Sequence, residues 1–421
     1  MGLWGKLVHR FFERWPQAAI SCGLIFALSG GPVLAEATGL AGSVDAPPPT
    51  PPQQVIIDRD NGRHFGDSPA EGGPMAKLSP ALRTGDVDKA LRQVADWELA
   101  RSQPYFDSIW TWSALYVGLL AATRATGDPK YRDAVQAYSA SREWKLRQQP
   151  AGRLPNADDQ SLGQAYIGLY ELENDPRRIA PTRAALDGLA ADPDADVPSG
   201  KNIPWWWCDA LFMAPPLWTR MTAATDDKKY LAYMHREWWK TSELLYNTTD
   251  HLYARDATYL DKTEVNGQKM YWSRGNGWVM AGLVQVLQSM PVDDPLRPKY
   301  VAQLKEMSEK IASLQGKDGL WRAGLLDPDT YVLPEDSGSA FFVYAMAWGE
   351  NEGILDKSYR KVVAKGWAGL LSHIYADGRL GCIQQTGAEP AFFRPTASYN
   401  YGVGAFLLAG EQVEKLAKGK K

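Results

Sequence analysis

Three consecutive tryptophans, Trp205 to Trp207, lead through one cysteine to a carboxylate, Asp209, at the start of an apolar segment. Flat indole faces can pack against sugar rings. An acid held against apolar rings is partly desolvated, which raises its pKa toward the range needed for proton donation. The same run is compatible with a core aromatic cluster followed by a helix-capping aspartate. The motif therefore predicts Asp209 as a candidate general acid and Trp207 as a candidate sugar contact, with core packing as the alternative.

A pair of acids, Asp158 and Asp159, follows the sequence Pro-Asn-Ala at the start of another apolar segment. An acidic side chain at this position can cap the helix by accepting its free N–H groups. Only one of the two can act as the cap. We therefore expect the other to serve as an acid or to orient substrate hydroxyls.

The segment Tyr271–Trp278 combines a cation, two glycines and three aromatic residues. Arg274 can clamp a carboxylate with two parallel hydrogen bonds. Gly275 and Gly277 allow the backbone to approach a ligand closely. The alternative is a tight turn that carries a surface arginine. The candidate substrate contacts in this segment are Trp272, Arg274, Asn276 and Trp278.

The elements that must position these residues form a repeat. Residues 125–131 and 224–230 share the pattern Ala-Thr-x-Asp-x-Lys-Tyr, each between an apolar segment and an amphipathic one. Segments that are apolar on all sides indicate buried inner helices, and one-faced segments indicate outer helices. The alternation predicts an all-α fold, an (α/α)6 toroid of six helical hairpins, with an open superhelix as the competitor. In a closed ring, the loops that enter the inner helices line a cup at one end. The inner segments lie near residues 110–123, 160–172, 209–222, 276–290, 338–350 and 400–415, and the outer ones near 87–101, 129–144, 178–190, 228–245, 298–314 and 357–373.

The composition limits the classes of partner. A formal net charge of −3 over 421 residues argues against a nucleic-acid-binding protein. Seventeen tryptophans fit an aromatic-lined pocket as well as a core. Beyond residue 35 the chain contains only Cys208 and Cys382, and its histidines show no ligand spacing. We predict no metal and no other cofactor.

The N-terminal region has the pattern of an export signal. Basic residues precede a short apolar run from Ala18 to Leu28, and Val33-Leu34-Ala35 offers a cleavage site before Glu36. Residues 36–78 are rich in proline and predict a disordered linker. Residues 79–421 are then the catalytic domain. We expect an exported protein, periplasmic or secreted, without stable membrane insertion after signal cleavage; an uncleaved N-terminal anchor is the alternative.

Taken in order, these motifs resemble glycoside hydrolase family 105, the unsaturated rhamnogalacturonyl hydrolases, which is related to family 88. The resemblance covers about residues 85–412. It implies the same six-hairpin toroid and no metal. It also implies an acidic oligosaccharide substrate, left by a polysaccharide lyase, with a 4,5-unsaturated uronic acid at its non-reducing end. The segments that carry it are DDQSLG (158–163), WWCDALFMAPP (206–216), WSRGNGW (272–278), SGSAFF (337–342) and YGVGAF (401–406).

The resemblance also implies roles for particular residues. The proton-donating aspartate of the family matches Asp209, and its second essential aspartate matches Asp158. Its Trp-x-Arg-Gly motif matches Trp272 and Arg274, and an aromatic residue of its first rim loop matches Trp112. One departure is Arg255, which stands where relatives often have histidine. A permanent cation at that position should alter sugar recognition.

The reaction implied by the resemblance is hydration of an enol ether. An acid protonates C4, water adds to the cation at C5, and the resulting hemiketal opens and releases the partner sugar. This differs from the usual schemes that use two carboxylates directly on the glycosidic bond. Two alternatives stay open at this point: a hydrolase of a saturated acidic sugar on the same fold, and a non-catalytic glycan-binding protein.

Overall fold

The computed structural model describes residues 63–147, 154–194 and 197–419, which belong to one compact unit. Within these ranges the unit contains fourteen α-helices and four two-residue strands. The predicted leader, residues 1–35, and most of the predicted linker lie outside the described residues. None of the helices in the described part of the chain combines the length and the apolar character needed to cross a membrane.

The helices occupy the segments that the repeat predicts, and two additional one-turn helices precede the second and third inner helices. In chain order the helices are α1 Thr84–Ser102, α2 Trp110–Thr126, α3 Pro129–Ser141, α4 Ala157–Gln160, α5 Gly163–Glu173, α6 Ala180–Ala191, α7 Ala210–Met213, α8 Pro215–Thr225, α9 Lys228–Leu245, α10 Ser273–Ser289, α11 Arg297–Ser313, α12 Asp336–Asn351, α13 Tyr359–Ser372 and α14 Asn400–Lys418.

Helices α2, α5, α8, α10, α12 and α14 form an inner ring. Each packs against the next, and α14 packs against α2, which closes the circle. Their residues are buried on nearly all sides, whereas α1, α3, α6, α9, α11 and α13 bury one face. The predicted (α/α)6 toroid is confirmed, and the open superhelix is wrong.

Close backbone contact seals the ring where its first and last inner helices meet. A Cβ atom placed on Gly118 of α2 would lie 2.6 Å from the Cα atom of Gly404 in α14. Any larger side chain would push the two helices apart, because the interior is close-packed. The small residues in the predicted inner segments therefore serve helix packing.

The repeated sequence pattern marks the turn between an inner and an outer helix. Asp128 caps α3 by accepting a hydrogen bond from the Lys130 backbone N–H, and Asp227 caps α9 by accepting one from Lys229. The inner helices before these caps end at Gly127 and Asp226, both in the left-handed conformation. The pattern thus ends an inner helix and caps the outer helix that follows it.

Residues 63–78 differ from the predicted disorder. The strand β1, Gly66–Asp67, pairs antiparallel with β4, Ser398–Tyr399, directly before α14. The neighbouring Phe65 is buried, with 4% of its surface exposed. Burial of an aromatic ring and paired backbone groups offset the entropy cost of ordering the segment. The predicted boundary at residue 78 is therefore too late in the chain. The other strand pair, β2 Tyr246–Asn247 with β3 Leu252–Tyr253, forms a hairpin after α9.

Candidate active site

Asp209 lies at the amino end of α7, on the side of the ring where the loops enter the inner helices. It is the N-cap residue of α7, but its side chain makes no capping hydrogen bond. Its loop is held by the 252–256 segment, because the Cys208 N–H donates to the Arg255 carbonyl at 2.8 Å. The carboxylate is thus free of helix capping and available for chemistry.

Asp158 lies on α4, the other one-turn helix, and is partly buried. The cap of α4 is Asn156, whose side chain accepts the Asp159 N–H at 3.0 Å. Burial, together with the nearby charges of Asp209 and Asp159, raises the pKa of Asp158 to about 7, while the charges of Arg255 and Arg147 oppose the shift. Asp158 and Asp209 are therefore electrostatic neighbours, and their pair retains a proton near neutral pH.

Asp159 does not share this environment. It is 1% exposed and pairs with Arg147, whose Nη1 lies 3.2 Å from Oδ1. A buried carboxylate that is paired in this way serves to hold the loop in place. The alternative, that one of the two acids only caps the helix, is wrong, since Asn156 has that position. Of the two, Asp158 is the one placed with Asp209.

Arg255 is the cation of the site. Its Nε lies 3.6 Å from Oδ2 of Asp209, and its Nη1 donates to Asp256 at 2.6 Å. Its guanidinium carbon lies 5.4 Å from the ring centre of Trp206. The side chain is 20% exposed, and its buried Nε has no hydrogen-bond partner among the described residues. Arg255 thus retains hydrogen-bonding capacity beside the candidate acid.

Arg274 has a different position from the one predicted. It is 0% exposed, and its Nη1 and Nη2 each donate at 2.6 Å, to the backbone carbonyls of Gln384 and Gln385. Its guanidinium also stacks on Trp272, with 4.4 Å from carbon to ring centre. In this structure the residue ties the 384–385 loop to α10, and its predicted role in binding the uronate carboxylate stays a prediction.

Three further predicted contacts belong to the core. Trp112 and Trp278 are each 0% exposed. Asn276 is also fully buried, where its side chain accepts the Tyr253 N–H at 2.8 Å and donates to the Tyr253 carbonyl at 3.1 Å. In this structure these residues brace the rim loops, and their assignment to substrate binding stays a prediction.

Two other tryptophans of the loops that enter the inner helices lie closer to solvent. Trp206 and Trp110 are partly buried, whereas Trp207 is 7% and Trp272 3% exposed. Trp206 and Trp207 pack with their ring centres 4.9 Å apart. Within the tryptophan run, Trp205 and Trp207 are thus buried and Trp206 offers an accessible face. Trp207 contributes mainly by packing against Trp206.

Two glutamines that the sequence reasoning missed link α5 to α7 and α4 to α8. The Gln164 side chain donates to the carbonyls of Phe212 at 2.7 Å and Met213 at 3.0 Å, which are terminal carbonyls of the short α7. Gln160 accepts the indole N–H of Trp218 at 2.7 Å. Both glutamines belong to the DDQSLGQ segment. A polar residue at a buried position of an apolar segment was the sequence feature that could have identified them.

Among the described residues there is no group of three or more His, Cys, Asp or Glu side chains that could hold a metal ion. Cys208 and Cys382 are buried and unbridged. Burial raises the pKa of the Cys208 thiol, and the charge of Asp209 raises it further, so this thiol stays neutral. It packs beside the acid at 3.5 Å and is not a nucleophile.

Comparisons with known proteins match the whole helical unit. The model of Glycosyl Hydrolase Family 88 matches residues 82–417. The "Unsaturated 3S-rhamnoglycuronyl hydrolase" of Formosa agariphila is 38% identical over 355 residues, which are 80% of this chain and 92% of that protein. A solved family 88 structure from Bacteroides vulgatus has a TM-score of 0.72 and 29% identity, covering 79% of this chain and 99% of the other. A solved structure described as a polysaccharide lyase has a TM-score of 0.74 and 29% identity, covering 80% and 99%.

Proposed function

Because the chain belongs to glycosyl hydrolase family 88, we propose that it removes a terminal 4,5-unsaturated uronic acid from acidic oligosaccharides made by lyases. The resemblance to family 105 and the related family 88 is confirmed, and the chain is a glycoside hydrolase. The observation that carries the proposal is a carboxyl pair, Asp158 and Asp209, that retains a proton near neutral pH beside Arg255.

The pair supplies what the first chemical step needs. Protonation of C4 in an enol ether requires an acid that still holds its proton at working pH. The raised pKa of Asp158 places that proton within the pair, and Asp209 is the member that we assign to C4. After transfer, the Asp209 carboxylate accepts a proton from the water that attacks C5. The hemiketal then opens by breaking the C5–O5 bond, which leaves a ketone at C5 and a hemiacetal at C1. Collapse of this hemiacetal to an aldehyde breaks the glycosidic bond and releases the partner sugar.

Arg255 couples substrate binding to this proton. In the free protein its Nε lies 3.6 Å from Oδ2 of Asp209, so the two groups form an ion pair. A substrate carboxylate that engages the guanidinium competes with Asp209 for it. Asp209 is then released from the ion pair and can receive the proton that Asp158 holds. Trp206, beneath the guanidinium, offers a flat surface for the ring.

Two other reactions predict different products. A hydrolase of a saturated uronic acid would leave no change in ultraviolet absorbance, because neither its substrate nor its product is conjugated. A lyase would create a conjugated double bond. The proposed hydration destroys one. The sign of the absorbance change therefore separates the three.

The decisive experiment is a panel of oligosaccharides prepared with lyases that act on galacturonic-acid and glucuronic-acid polymers. We expect loss of absorbance together with release of the neighbouring sugar, measured by chromatography. Saturated oligosaccharides of the same sequence are the control and should stay intact. Cleavage of the saturated control, an increase in absorbance, or tight glycan binding without turnover would each contradict the proposal.

We further propose that residues 1–35 direct export and that the mature chain begins at Glu36. The support is the basic and apolar composition of this segment, which lies outside the described residues. Mass spectrometry of the protein recovered from the medium or periplasm tests it. Recovery of a mature form that retains Met1 would contradict cleavage.

A further inference from the structure

The helical segment that begins at Asp209 is broken after one turn, where α7 ends and α8 begins. In a continuous α-helix the carbonyls of Leu211 and Phe212 would accept hydrogen bonds from the backbone N–H groups four residues later. Both of those positions are proline, Pro215 and Pro216, and proline has no backbone N–H. The sequence after the acid therefore leaves carbonyls at the end of α7 without the partners that a helix normally provides.

Gln164 of α5 supplies hydrogen bonds at this break. Its side-chain amide donates to the carbonyls of Phe212 at 2.7 Å and Met213 at 3.0 Å. The Met213 carbonyl needs this partner because Leu217, which would donate to it in a continuous helix, donates to Ala214 at 3.0 Å. The glutamine is 1% exposed, so both bonds form away from solvent. A buried carbonyl without a partner is costly, so the amide holds the end of α7 against α5.

Gln164 also belongs to the stretch of chain that carries the other acid, Asp158. The Gln164 N–H donates to the Ser161 carbonyl at 3.1 Å, and the Ser161 hydroxyl donates to the Asp158 carbonyl at 2.6 Å. The helix of Asp158, α4, packs directly on α7. The backbone of Asp158 and the amide of Gln164 therefore form one rigid support beside α7.

The residues that Gln164 holds are the ones that hold Asp209. The N–H groups of Phe212 and Met213 donate to the Asp209 carbonyl at 3.0 and 3.3 Å. Since α7 has only four residues, its two ends move together. A displacement of the carbonyls bound by Gln164 would therefore displace the acid.

We propose that Gln164 is a positioning residue, which sets the separation of the two acids by bonding α7 to the segment that carries Asp158. The inference rests on the proposed function, in which a proton held by Asp158 reaches C4 through Asp209. Misplacement of a reacting group by about 1 Å can cost about 100-fold in rate. Gln164 acts through the backbone of α7 and not on the substrate.

The first test is Gln164→Met, which preserves the size of the side chain and removes both donated bonds. We expect kcat to fall by about 10- to 100-fold, with KM changed by less than about twofold. The like charge of Asp209 should then lie farther from Asp158, whose pKa of about 7 should shift toward its ordinary value. The fall in kcat/KM with rising pH should therefore occur at lower pH than in the wild type. Steady-state kinetics and carboxyl ¹³C NMR measure the two effects.

Gln164→Glu separates the donated hydrogen bond from the filling of space. A protonated carboxyl group can donate one bond, whereas an ionised one only accepts. Burial raises the pKa of such a carboxyl, so it holds its proton at low pH. Relative to the wild type at the same pH, kcat of Gln164→Glu should exceed that of Gln164→Met at low pH. It should fall to the Gln164→Met level as the pH rises.

Gln315→Met is the matched control. The Gln315 amide also donates to two backbone carbonyls, those of Gly319 at 2.8 Å and Val362 at 2.9 Å, in the turn that follows α11. Its loss removes the same kind of bonds without touching α4, α5 or α7. It should lower the melting temperature and leave kcat and the titration of Asp158 as in the wild type.

Three outcomes would overturn the proposal. They are wild-type kcat and Asp158 titration in Gln164→Met, equal kcat of Gln164→Met and Gln164→Glu at every pH, and an equal loss of kcat in Gln315→Met. If Gln164→Met does not fold, the pH dependence of Gln164→Glu decides alone. If the wild type turns over no unsaturated substrate, the proposed function fails, whereas the titration of Asp158 still decides whether Gln164 positions the acids.

Discussion

Asp209 and Asp158 are both aspartates on one-turn helices, but the proposed chemistry assigns them different tasks. Asp209→Asn keeps the shape of the side chain and removes the acid, so turnover should fall by roughly three orders of magnitude. Steady-state kinetics on the unsaturated substrate measure this. Asp293→Asn, in an exposed turn, is the control and should retain full activity. Near-normal turnover of Asp209→Asn would remove the assignment.

The pH dependence follows from the pair. The donor must be protonated, and the pKa of Asp158 is raised to about 7, so kcat/KM should be high below this pH and fall as the pH rises through it. In Asp209→Asn the like charge is gone, and the pKa of Asp158 should shift toward its ordinary value. Carboxyl ¹³C NMR follows that titration without any need for activity. An unchanged titration would show that the two acids are not coupled.

Arg255 and Arg274 form a matched comparison of two arginines with opposite burial. Arg255→Lys keeps the charge and loses the planar fork. The activation free energy for kcat/KM should therefore rise by about 1.5–3 kcal/mol, with little change in the free energy of unfolding. The loss should shrink on a substrate whose uronate is esterified. Arg274→Lys should lower the melting temperature, because a lysine cannot serve both carbonyls of Gln384 and Gln385. If Arg274→Lys lowers kcat/KM while Arg255→Lys lowers only the melting temperature, Arg274 is the carboxylate-binding residue.

At the scale of the elements, the position of Asp209 depends on how α7 packs on α10. A Cβ atom added to Gly282 in α10 would collide with the carbonyl oxygen of Leu211 in α7. Gly282→Ala should therefore destabilise the fold by about 1–3 kcal/mol and lower kcat by displacing Asp209. Chemical denaturation and kinetics measure both effects.

Gly85→Ala in α1 is the matched control for this change, because no atom lies within 4 Å of its added Cβ. It should leave activity unchanged and stabilise the helix slightly. If Gly282→Ala and the wild type have the same free energy of unfolding, α7 can shift without loss of stability. The packing of α7 on α10 then does not hold Asp209 in position.

At the scale of the whole molecule, residues 63–78 belong to the folded unit. A chain that begins at residue 79 loses the buried Phe65 ring and the β1–β4 pairing, so it should be less stable by at least about 1.5–3 kcal/mol than one that begins at Glu36. Thermal unfolding of the two chains compares them directly. Equal melting temperatures would return the domain boundary to residue 79.

Several features of this protein follow from the sequence alone. Apolar segments that alternate with one-faced segments specify six hairpins, since helix burial depends on local periodicity. The Ala-Thr-x-Asp-x-Lys-Tyr pattern specifies helix ends, since a cap acts over a few residues. The acids at 158 and 209 precede inner helices, so the topology alone brings their helices to one end of the ring. These properties require no knowledge of distant contacts.

The tertiary structure decided which side chains face the cup. Successive residues on a helix point roughly 100° apart, so two positions separate the partly buried Trp110 from the enclosed Trp112. Arg274 carries the right chemistry, but its guanidinium is enclosed by the 384–385 loop, more than a hundred residues later in the chain. Arg255 has free capacity because its loop turns toward Asp209. Direction and burial of a side chain depend on such long-range packing, and local sequence does not encode them.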